Sequence, residues 1–431
     1  MTSASLSPQF RALGLGEALV HATSAQGYQE PTPVQVAVVP AALRGEDVWA
    51  SAKTGSGKTA AFVLPLLQML GGPRSHSRPP RHPVPVHGLL LVPTRELALQ
   101  IAEAVSALGA YLSSQPKTVV AVGGVSINPQ MLALRGGADI VVATPGRLLD
   151  LVDNNALSLS DVRVLVLDEA ERLLSLGFAA ELARVMTLLP PRCQKLMFSA
   201  TFPPAVRALA EALLHQPTQI NIDAGAIPDS GAIAQRVIEV DAGRRTMLLR
   251  HLLRKHGWSR VLVFVDSKHT ADHVAVKLQR AGLSAAALHG DMSQGRRTQV
   301  LADFKNHQLQ ILVATDLAAR GIDITDLAAV VNYDLPRSPA DYLHRIGRTG
   351  RAGHSGVALS FIDGNTAPHF GLIERRHRFS LTREVVPGFE PSDEALPLSH
   401  PHGGVKGKRK SKKDKLREAA ARDSIAGKHE D

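Results

Sequence analysis

The sequence of 431 residues predicts an α/β fold made of two tandem parallel-sheet domains. Apolar runs typical of buried strands alternate with amphipathic helical stretches, which is the pattern of a doubly wound sheet. A second series of the same kind begins after residues 223–232, whose small, Pro- and Gly-bearing composition is typical of a linker. We therefore expect a first domain over 1–224, a second over 225–385 and a disordered basic C-terminal tail over 386–431.

The predicted strands are short apolar runs, as expected for parallel strands covered by helices on both faces. Those of the first domain are 47–50, 88–92, 118–122, 140–143, 162–167, 196–199 and 219–221. Those of the second are 235–240, 260–265, 285–288, 311–314, 330–333 and 357–361. Residues 71–87, rich in Pro, His and Arg, predict a surface loop, with an RNA contact or a His-based metal site as the alternatives.

The charge of the chain favours a polyanionic partner. The net charge is +10 and the pI about 9.9, and residues 401–431 alone contain ten Lys/Arg against five Asp/Glu. Aromatic residues make up only 4% of the chain, which argues for contacts along a sugar–phosphate backbone rather than for a platform of stacked bases. The basic run at 406–415 could tether RNA or serve only as a solvated segment.

Cysteine usage and hydropathy indicate a cytoplasmic, membrane-free protein. Cys193 is the one cysteine, so no intramolecular disulfide can form and a reducing compartment is expected. Residues 1–20 lack the pattern of a secretory signal, and no apolar run approaches the length of a membrane span. We expect a monomer.

A glycine-rich loop that leads into an apolar helix, predicted over 58–70, indicates phosphate binding. Backbone N–H groups of such a loop turn inward on a phosphate, and the helix adds the positive end of its dipole. Lys58 then reaches the outer phosphates, and Thr59 offers a hydroxyl to Mg²⁺. An ordinary strand-to-helix turn is the alternative. The loop consists of Ala52, Lys53, Thr54, Gly55, Ser56, Gly57, Lys58 and Thr59.

Two carboxylates follow the buried run 164–167, at the strand end where ligands of parallel sheets lie. Asp168 can hold the metal ion, and Glu169 can polarise an attacking water. A helix N-cap with acidic first-turn residues is the alternative. The loop and the carboxylates together predict a nucleotide triphosphatase.

The ordered motifs resemble those of the DEAD-box RNA helicases, over about residues 8–385. They include Gly-Tyr-Gln-Glu-Pro-Thr-Pro-Val-Gln at 27–35, Pro-Thr-Arg-Glu-Leu-Ala at 93–98, Ser-Ala-Thr at 199–201 and His-Arg-Ile-Gly-Arg-Thr-Gly-Arg at 344–351. Residues 123–137 and 386–391 most resemble the bacterial RhlE-like subgroup. The resemblance implies two RecA-like domains that close on ATP, Mg²⁺ and RNA and open duplexes locally. Partners in ribosome assembly or RNA degradation would fit it.

By resemblance, Gln35 reads the adenine edge and Phe10 stacks on the ring, while Asp323 lies near the ribose. An amide has both the donor and the acceptor that adenine requires. Arg348 and Arg351 are implied to be arginine fingers that approach the γ-phosphate across the cleft. A solvated basic helix is the alternative for the arginines.

RNA, single-stranded or duplex, is implied to contact both domains through its backbone. The matching positions are Pro93, Thr94, Arg95, Gly124, Thr144, Pro145, Gly146, Arg147, Gln294, Arg297 and Thr315. Ser199, Thr201 and Glu171 would couple the RNA and nucleotide sites.

Two residues depart from the family pattern. Glu171 stands where the family has Asp, and its extra methylene is expected to lower the coupling. Asp266 stands where a non-acidic residue is more common, and an acid near RNA is expected to weaken local phosphate contact slightly. A DNA-stimulated ATPase, and an ATP-gated RNA clamp or annealing chaperone with weak unwinding, remain the competing functions.

Overall fold

A computed structural model describes residues 7–52, 55–71, 83–200, 202–222, 233–319, 324, 327–339, 341–350 and 355–392. The described chain forms two seven-stranded sheets in which every strand pairing is parallel. This confirms the predicted fold class. The predicted linker 223–232 lies outside the described residues.

The first lobe contains the strands β1–β7, arranged in the order β3-β4-β2-β5-β6-β1-β7. The strands are β1 Val48–Ser51, β2 Gly88–Leu91, β3 Thr118–Ala121, β4 Ile140–Ala143, β5 Val164–Leu167, β6 Gln194–Ser199 and β7 Thr218–Asn221. The helices are α1 Pro8–Ala12, α2 Glu17–Ala25, α3 Pro33–Leu43, α4 Lys58–Leu70, α5 Arg95–Gly109, α6 Asn128–Ala133, α7 Pro145–Asp153, α8 Ala170–Ser175, α9 Ala179–Leu188 and α10 Pro204–Leu213.

The second lobe contains β8–β14 in the order β10-β11-β9-β12-β13-β8-β14. The strands are β8 Ile233–Glu239, β9 Val261–Val265, β10 Ala285–Leu288, β11 Ile311–Thr315, β12 Ala329–Asn332, β13 Gly356–Ile362 and β14 Arg383–Glu384. The helices are the short 3₁₀ turn Ala242–Arg244, then α11 Arg245–His256, α12 Lys268–Arg280, α13 Gln294–Lys305, α14 Asp316–Ala319, α15 Asp341–Ile346 and α16 Ala367–His377.

Helices cover both faces of each sheet. Since successive strand residues point to opposite sides, each strand contributes to two apolar cores. In β5, Val164 and Val166 pack into one apolar core, whereas Leu165 and Leu167 pack into another. In the second lobe, α11 and α12 cover one face of the sheet, and α13 covers the opposite face. Burial on both faces explains why β5 and β9 are apolar throughout.

Two predicted segments need correction. The predicted tail starts too early, because Val386 is buried in the core of the second lobe and Phe389 packs against it. Residues from 393 onward lie outside the described residues, so disorder there stays a prediction. Residues 71–87 were predicted to form a surface loop, but their C-terminal part, 83–87, is partly buried. Val84 forms a β-bridge with Gly137, and Val86 is buried.

In the described part of the chain, no helix has the length and apolar character that crossing a membrane requires.

Candidate nucleotide and nucleic-acid sites

The phosphate loop joins β1 to α4, and its backbone needs glycine. Gly55 and Gly57 have φ values of +81° and +90°, the left-handed region that side chains disfavour. A Cβ on Gly57 would lie 2.6 Å from Nε2 of Gln35 and 2.8 Å from Oγ1 of Thr32. The helix begins at Lys58 as predicted. Lys53 and Thr54 lie outside the described residues.

The predicted carboxylates lie at the carboxyl end of β5. Asp168 is only 4% exposed. Burial raises the pKa of Asp168 to about 6, and the positive charge of Lys58 opposes that rise. A buried carboxylate near the lysine that begins α4 can hold a divalent cation.

Glu169 is buried beside Asp168 and adopts a left-handed conformation, with φ of +52°. Its Oε2 accepts a hydrogen bond from Nη1 of Arg172 at 3.0 Å, and both side chains are about 10% exposed. Such a backbone conformation costs on the order of 1–3 kcal/mol in a non-glycine residue and is common at functional sites. The sequence reasoning missed Arg172, although a basic residue three positions after a candidate general base was a visible signal.

Glu171 reaches the strand end at which Ser199 lies. Oγ of Ser199 donates a 2.5 Å hydrogen bond to Oε2 of Glu171, and the N–H of Ala200 donates to Oε1 at 3.3 Å. The longer side chain thus fits its place and contacts two groups of the Ser-Ala-Thr segment. The carboxylate spans both donors, and the expected effect of the extra methylene on coupling stays a prediction. Thr201 lies outside the described residues.

Gln35 lines an open cavity of about 490 Å³ beside the phosphate loop. Its Oε1 accepts from the N–H of Thr32 at 3.0 Å, and its Nε2 donates to the carbonyl oxygen of Gly57 at 3.1 Å. An amide oxygen has a second lone pair and an amide nitrogen a second hydrogen, so both remain available to a ligand. The cavity is lined by Gly27, Tyr28, Gln29, Glu30, Thr32, Gln35, Gly55, Gly57, Thr59 and Ala60.

Phe10 does not line this cavity. Its side chain is fully buried and packs in the core of the first lobe with Leu13 and Leu15. Stacking on adenine would require its ring to become exposed, so that role stays a prediction. Asp323 lies outside the described residues.

The two described arginines of the segment 344–351 differ in their surroundings. Arg345 is a structural residue: Nε and Nη2 each donate to the carboxylate of Asp316 at 2.7 Å, and Nη1 donates to Oδ1 of Asn332 at 3.0 Å. Arg348 is buried and lines the same small cavity as Arg172 and His344, which brings the second lobe to the carboxylates of the first. Arg351 lies outside the described residues.

His344 is neutral near pH 7. Burial lowers its pKa to about 4, and the adjacent positive charge of Arg172 adds to the effect. The cleft therefore places one neutral imidazole beside the guanidinium groups of Arg172 and Arg348.

A third cavity, of about 330 Å³, brings together predicted RNA-contacting residues from both lobes. Thr94, Arg95 and Gly124 line it from the first lobe, and Gln294 and Arg297 line it from the second. The structure does not place Pro93, Thr144, Pro145, Gly146, Arg147 or Thr315 on its wall, although Thr144 and Arg147 contact the loop that contributes Gly124.

Side-chain contacts fix this glycine loop. Arg95 donates through Nη2 to the carbonyl oxygen of Gly123, and the N–H of Gly123 donates to Oγ1 of Thr144 at 3.3 Å. Arg147 donates to the carbonyl oxygen of Val125 at 2.9 Å. The buried side chain of Gln130, which sequence reasoning missed, bonds both backbone groups of Val122.

Arg297 forms an ion pair with Glu96 of the first lobe, with Nη2 and Oε1 2.7 Å apart. Only 14% and 10% of the two side chains are exposed. A predicted RNA-contacting arginine therefore also links the lobes through a carboxylate that sequence reasoning did not single out.

Asp266 lies at the end of β9, where its N–H donates to Oδ2 of Asp334 at 3.0 Å. Its own Oδ1 accepts from Oγ1 of Thr270 at 3.3 Å. Burial raises the pKa of Asp334, and the negative charge of Asp266 adds to that rise. Asp266 does not line the cavity with the RNA-contacting residues, so its effect on RNA stays a prediction.

Two family models match the chain. The DEAD/DEAH box helicase model matches residues 32–209, and the helicase conserved C-terminal domain model matches residues 244–353. The chain is 37% identical over 387 residues to the DEAD-box ATP-dependent RNA helicase CshA of Bacillus cereus, covering 90% of this chain and 71% of the relative. It is 40% identical over 366 residues to the ATP-dependent RNA helicase DeaD of Mycobacterium tuberculosis, covering 84% of this chain and 62% of the relative.

Solved structures of similar architecture include complexes with RNA. Dbp5 of Saccharomyces cerevisiae bound to RNA and ADP BeF₃ matches with a TM-score of 0.76 and 31% identity, covering 88% of this chain and 96% of that chain. Mss116p bound to single-stranded RNA and AMP-PNP matches with a TM-score of 0.77 and 28% identity, covering 89% and 79%. Neither the relatives nor these structures identify the RhlE-like subgroup, which stays a prediction.

Proposed function

The chain belongs to the DEAD-box family of ATP-dependent RNA helicases, and on this premise we propose that it hydrolyses ATP between its lobes to open RNA duplexes locally. One observation carries the proposal: Arg172, which donates to the carboxylate of Glu169 in the first lobe, lines a cavity together with Arg348 of the second lobe. A triphosphate held by one lobe and completed by the other makes hydrolysis depend on closure of the lobes.

The first lobe is suited to hold ATP and Mg²⁺. Mg²⁺ takes hard oxygen ligands and in such sites is bound by one or two carboxylates with phosphate oxygens. The buried carboxylate of Asp168 and the hydroxyl of Thr59 provide such oxygens, and Lys58 offsets the charge of the outer phosphates. The bound ion would neutralise charge on the β- and γ-phosphates.

Glu169 is suited to act as the general base. Its carboxylate accepts the proton of a water whose oxygen attacks the γ-phosphorus, while the bond to the bridging oxygen breaks and ADP leaves. Arg172 holds this carboxylate in one orientation through the 3.0 Å hydrogen bond. Arg348, together with Arg351, stabilises the charge on the transferring phosphoryl group, an effect on the order of 10³ to 10⁵ in rate.

RNA binding is coupled to this chemistry through the ends of neighbouring strands. β5 and β6 are hydrogen-bonded neighbours, and Glu171 joins the helix after β5 to Ser199 at the end of β6. The cavity of about 330 Å³ is lined by Arg95 of the first lobe and Arg297 of the second, so RNA that fills it favours the closed arrangement. Recognition rests on the backbone and should be independent of base sequence.

The test is phosphate release measured with single-stranded RNA and with DNA of the same sequence, beside strand displacement from a short RNA duplex. We expect stimulation by RNA alone and displacement that requires ATP. Equal stimulation by DNA would indicate the DNA-stimulated ATPase instead. Hydrolysis with no displacement would indicate the ATP-gated clamp. A monomeric state, a cytoplasmic location and partners in ribosome assembly or RNA degradation stay predictions.

A further inference from the structure

A basic groove lies on the second lobe, apart from both sites described above. We call it the α11 groove; its volume is about 410 Å³, and it is lined by Met247, Arg250, His251, Arg254, Lys255 and Phe389. The five residues from α11 have the spacing of one helix face, and all five are exposed. The exposed face of α11 therefore forms one, basic side of the groove, and Phe389 forms the other side.

The groove has an excess of positive charge with no carboxylate in its lining. Helix α11 has the sequence Arg-Thr-Met-Leu-Leu-Arg-His-Leu-Leu-Arg-Lys-His, without Asp or Glu. Burial lowers the pKa of His256 at the end of this helix, and the positive charges of Arg236 and Lys255 lower it further. The local field is therefore positive, which suits an anionic ligand.

The wall formed by Phe389 is held in place. Nη1 of Arg244 donates to the carbonyl oxygen of Glu390 at 3.0 Å, and its guanidinium lies 5.4 Å from the centre of the Phe389 ring. The ring of His251 packs against Phe389 with centroids 5.5 Å apart. The groove is thus built from two segments distant in sequence rather than being a single solvated helix face.

The groove and the predicted RNA-contacting residues of this lobe lie on opposite faces of one sheet. Helix α11 packs on the face formed by Val261, Val263 and Val265 of β9, whereas α13 packs with Leu262 and Phe264 on the other face. Helix α13 carries Gln294 and Arg297, so RNA in the cavity between the lobes does not occupy the α11 groove.

We propose that the α11 groove binds the sugar–phosphate backbone of RNA that extends beyond the segment held between the lobes. The inference rests on RNA binding by this chain and adds a second contact to it. Exposed arginines and a lysine along one helix offer several positive charges to successive backbone phosphates, and the sequence-independent character of such contacts suits an enzyme that acts on varied RNAs. The groove would retain RNA while the lobes open between cycles.

The test compares two matched double variants of the full-length protein. Arg250→Gln/Lys255→Gln removes two groove charges, and among the described residues neither side chain has a hydrogen bond or ion pair. Arg254 is kept because it donates to the carbonyl oxygen of Ala281 at 2.7 Å. Arg375→Gln/Arg376→Gln removes two exposed charges of α16, on the opposite face of the same sheet. Both proteins keep residues 401–431, so the contribution of that segment is common to both.

Binding is measured across a range of salt concentrations with a short single-stranded RNA that fills only the cavity between the lobes and with a long one. For the long RNA, loss of two phosphate contacts should make the log–log salt slope shallower by about 1.4 in the groove variant and leave it unchanged in the control. The short RNA should bind all three proteins alike. Equal salt slopes for the two variants with long RNA would overturn the proposal, and this is the result expected if the groove binds an acidic protein instead. An equal loss of affinity for short and long RNA in the groove variant would also overturn it. Failure of the wild type to bind the short RNA would contradict the proposed function rather than the groove alone.

Discussion

The two lobes have the same strand order but differ in the surroundings of the side chain that opens the helix after their first strand. Numbered within each lobe, both sheets run 3-4-2-5-6-1-7. Lys58 opens the helix after the first strand of the first lobe, and Arg245 opens the corresponding helix of the second. Gly57 and Thr59, on either side of Lys58, line an open cavity, whereas Arg245 is paired with carboxylates.

In the second lobe, these carboxylates follow the strands that correspond to β5 and β6. Nη1 of Arg245 lies 2.9 Å from Oδ1 of Asp334, and Nη2 lies 2.7 Å from Oδ2 of Asp363. The side chain that opens this helix is thus held by two carboxylates of its own lobe. The comparison teaches that the fold supplies the position, and that the side chain at the helix start decides whether it binds a nucleotide or stabilises the lobe.

The largest expected effect comes from removing the charge in the first lobe. Lys58→Ala should lower ATP turnover by at least about 10³, because a methyl group cannot offset the charge of the transferring phosphoryl group. The measurement is phosphate release at saturating RNA, with circular dichroism to confirm the fold. Turnover within tenfold of wild type would contradict the assignment of the site.

Removing the proton acceptor should leave binding intact. Glu169→Gln keeps the shape of the side chain but cannot accept a proton from water, so hydrolysis should slow by about 10² to 10⁴. Affinities for a fluorescent ATP analogue and for RNA should stay within a few-fold of wild type. A loss of ATP affinity equal to the loss of turnover would mean that Glu169 holds the nucleotide instead.

In the second lobe, the corresponding change should affect stability rather than turnover chemistry. Arg245→Met leaves two largely buried carboxylates without their cation and should lower the free energy of unfolding by about 3 kcal/mol. Trp258 reports on this lobe when Trp49 is replaced by Phe, so urea unfolding can be followed by fluorescence. Arg250→Met on the exposed side of the same helix is the matched control and should change stability by less than about 0.5 kcal/mol. Equal effects of the two substitutions would remove the proposed contrast between the lobes.

The smallest expected effect concerns coupling. Glu171→Asp shortens a side chain that contacts both Ser199 and Ala200, so one of the two contacts should be lost. We expect the amount of duplex displaced per ATP hydrolysed to fall by a few-fold, with basal hydrolysis little changed. An increase in that ratio would restore the view that the longer side chain disturbs the coupling.

Much of the fold and part of the candidate nucleotide site could be predicted from the sequence. Most of the buried strands are rich in apolar residues, and a Gly-rich loop before a helix is a distinct pattern, so the positions of thirteen of the fourteen strands and the start of α4 were predicted to within a few residues. The short strand Arg383–Glu384 was missed because its two residues are polar and their ion pairs form only in the fold: Arg383 bonds Glu374, and Glu384 bonds Arg236.

Contacts between segments that are distant in sequence could not be predicted from it. Nothing in the local sequence distinguishes Arg345, which holds Asp316, from Arg348, which lines the cleft. The ion pair between Arg297 and Glu96 joins residues from different lobes. Phe10 has the spacing expected of a stacking residue, yet its burial is decided by helices that cover it in three dimensions. Each case depends on packing that no local pattern encodes.

The central claim is that one lobe holds ATP and the other completes the site. Its most direct test is RNA-stimulated phosphate release by wild type and by Arg348→Ala, together with the affinity of each for a fluorescent ATP analogue. We predict a loss of turnover of about 10³ or more with affinity within a few-fold of wild type, because the arginine acts on charge that develops in the transition state. Turnover near that of wild type would contradict the claim, since the first lobe would then hydrolyse ATP without the second.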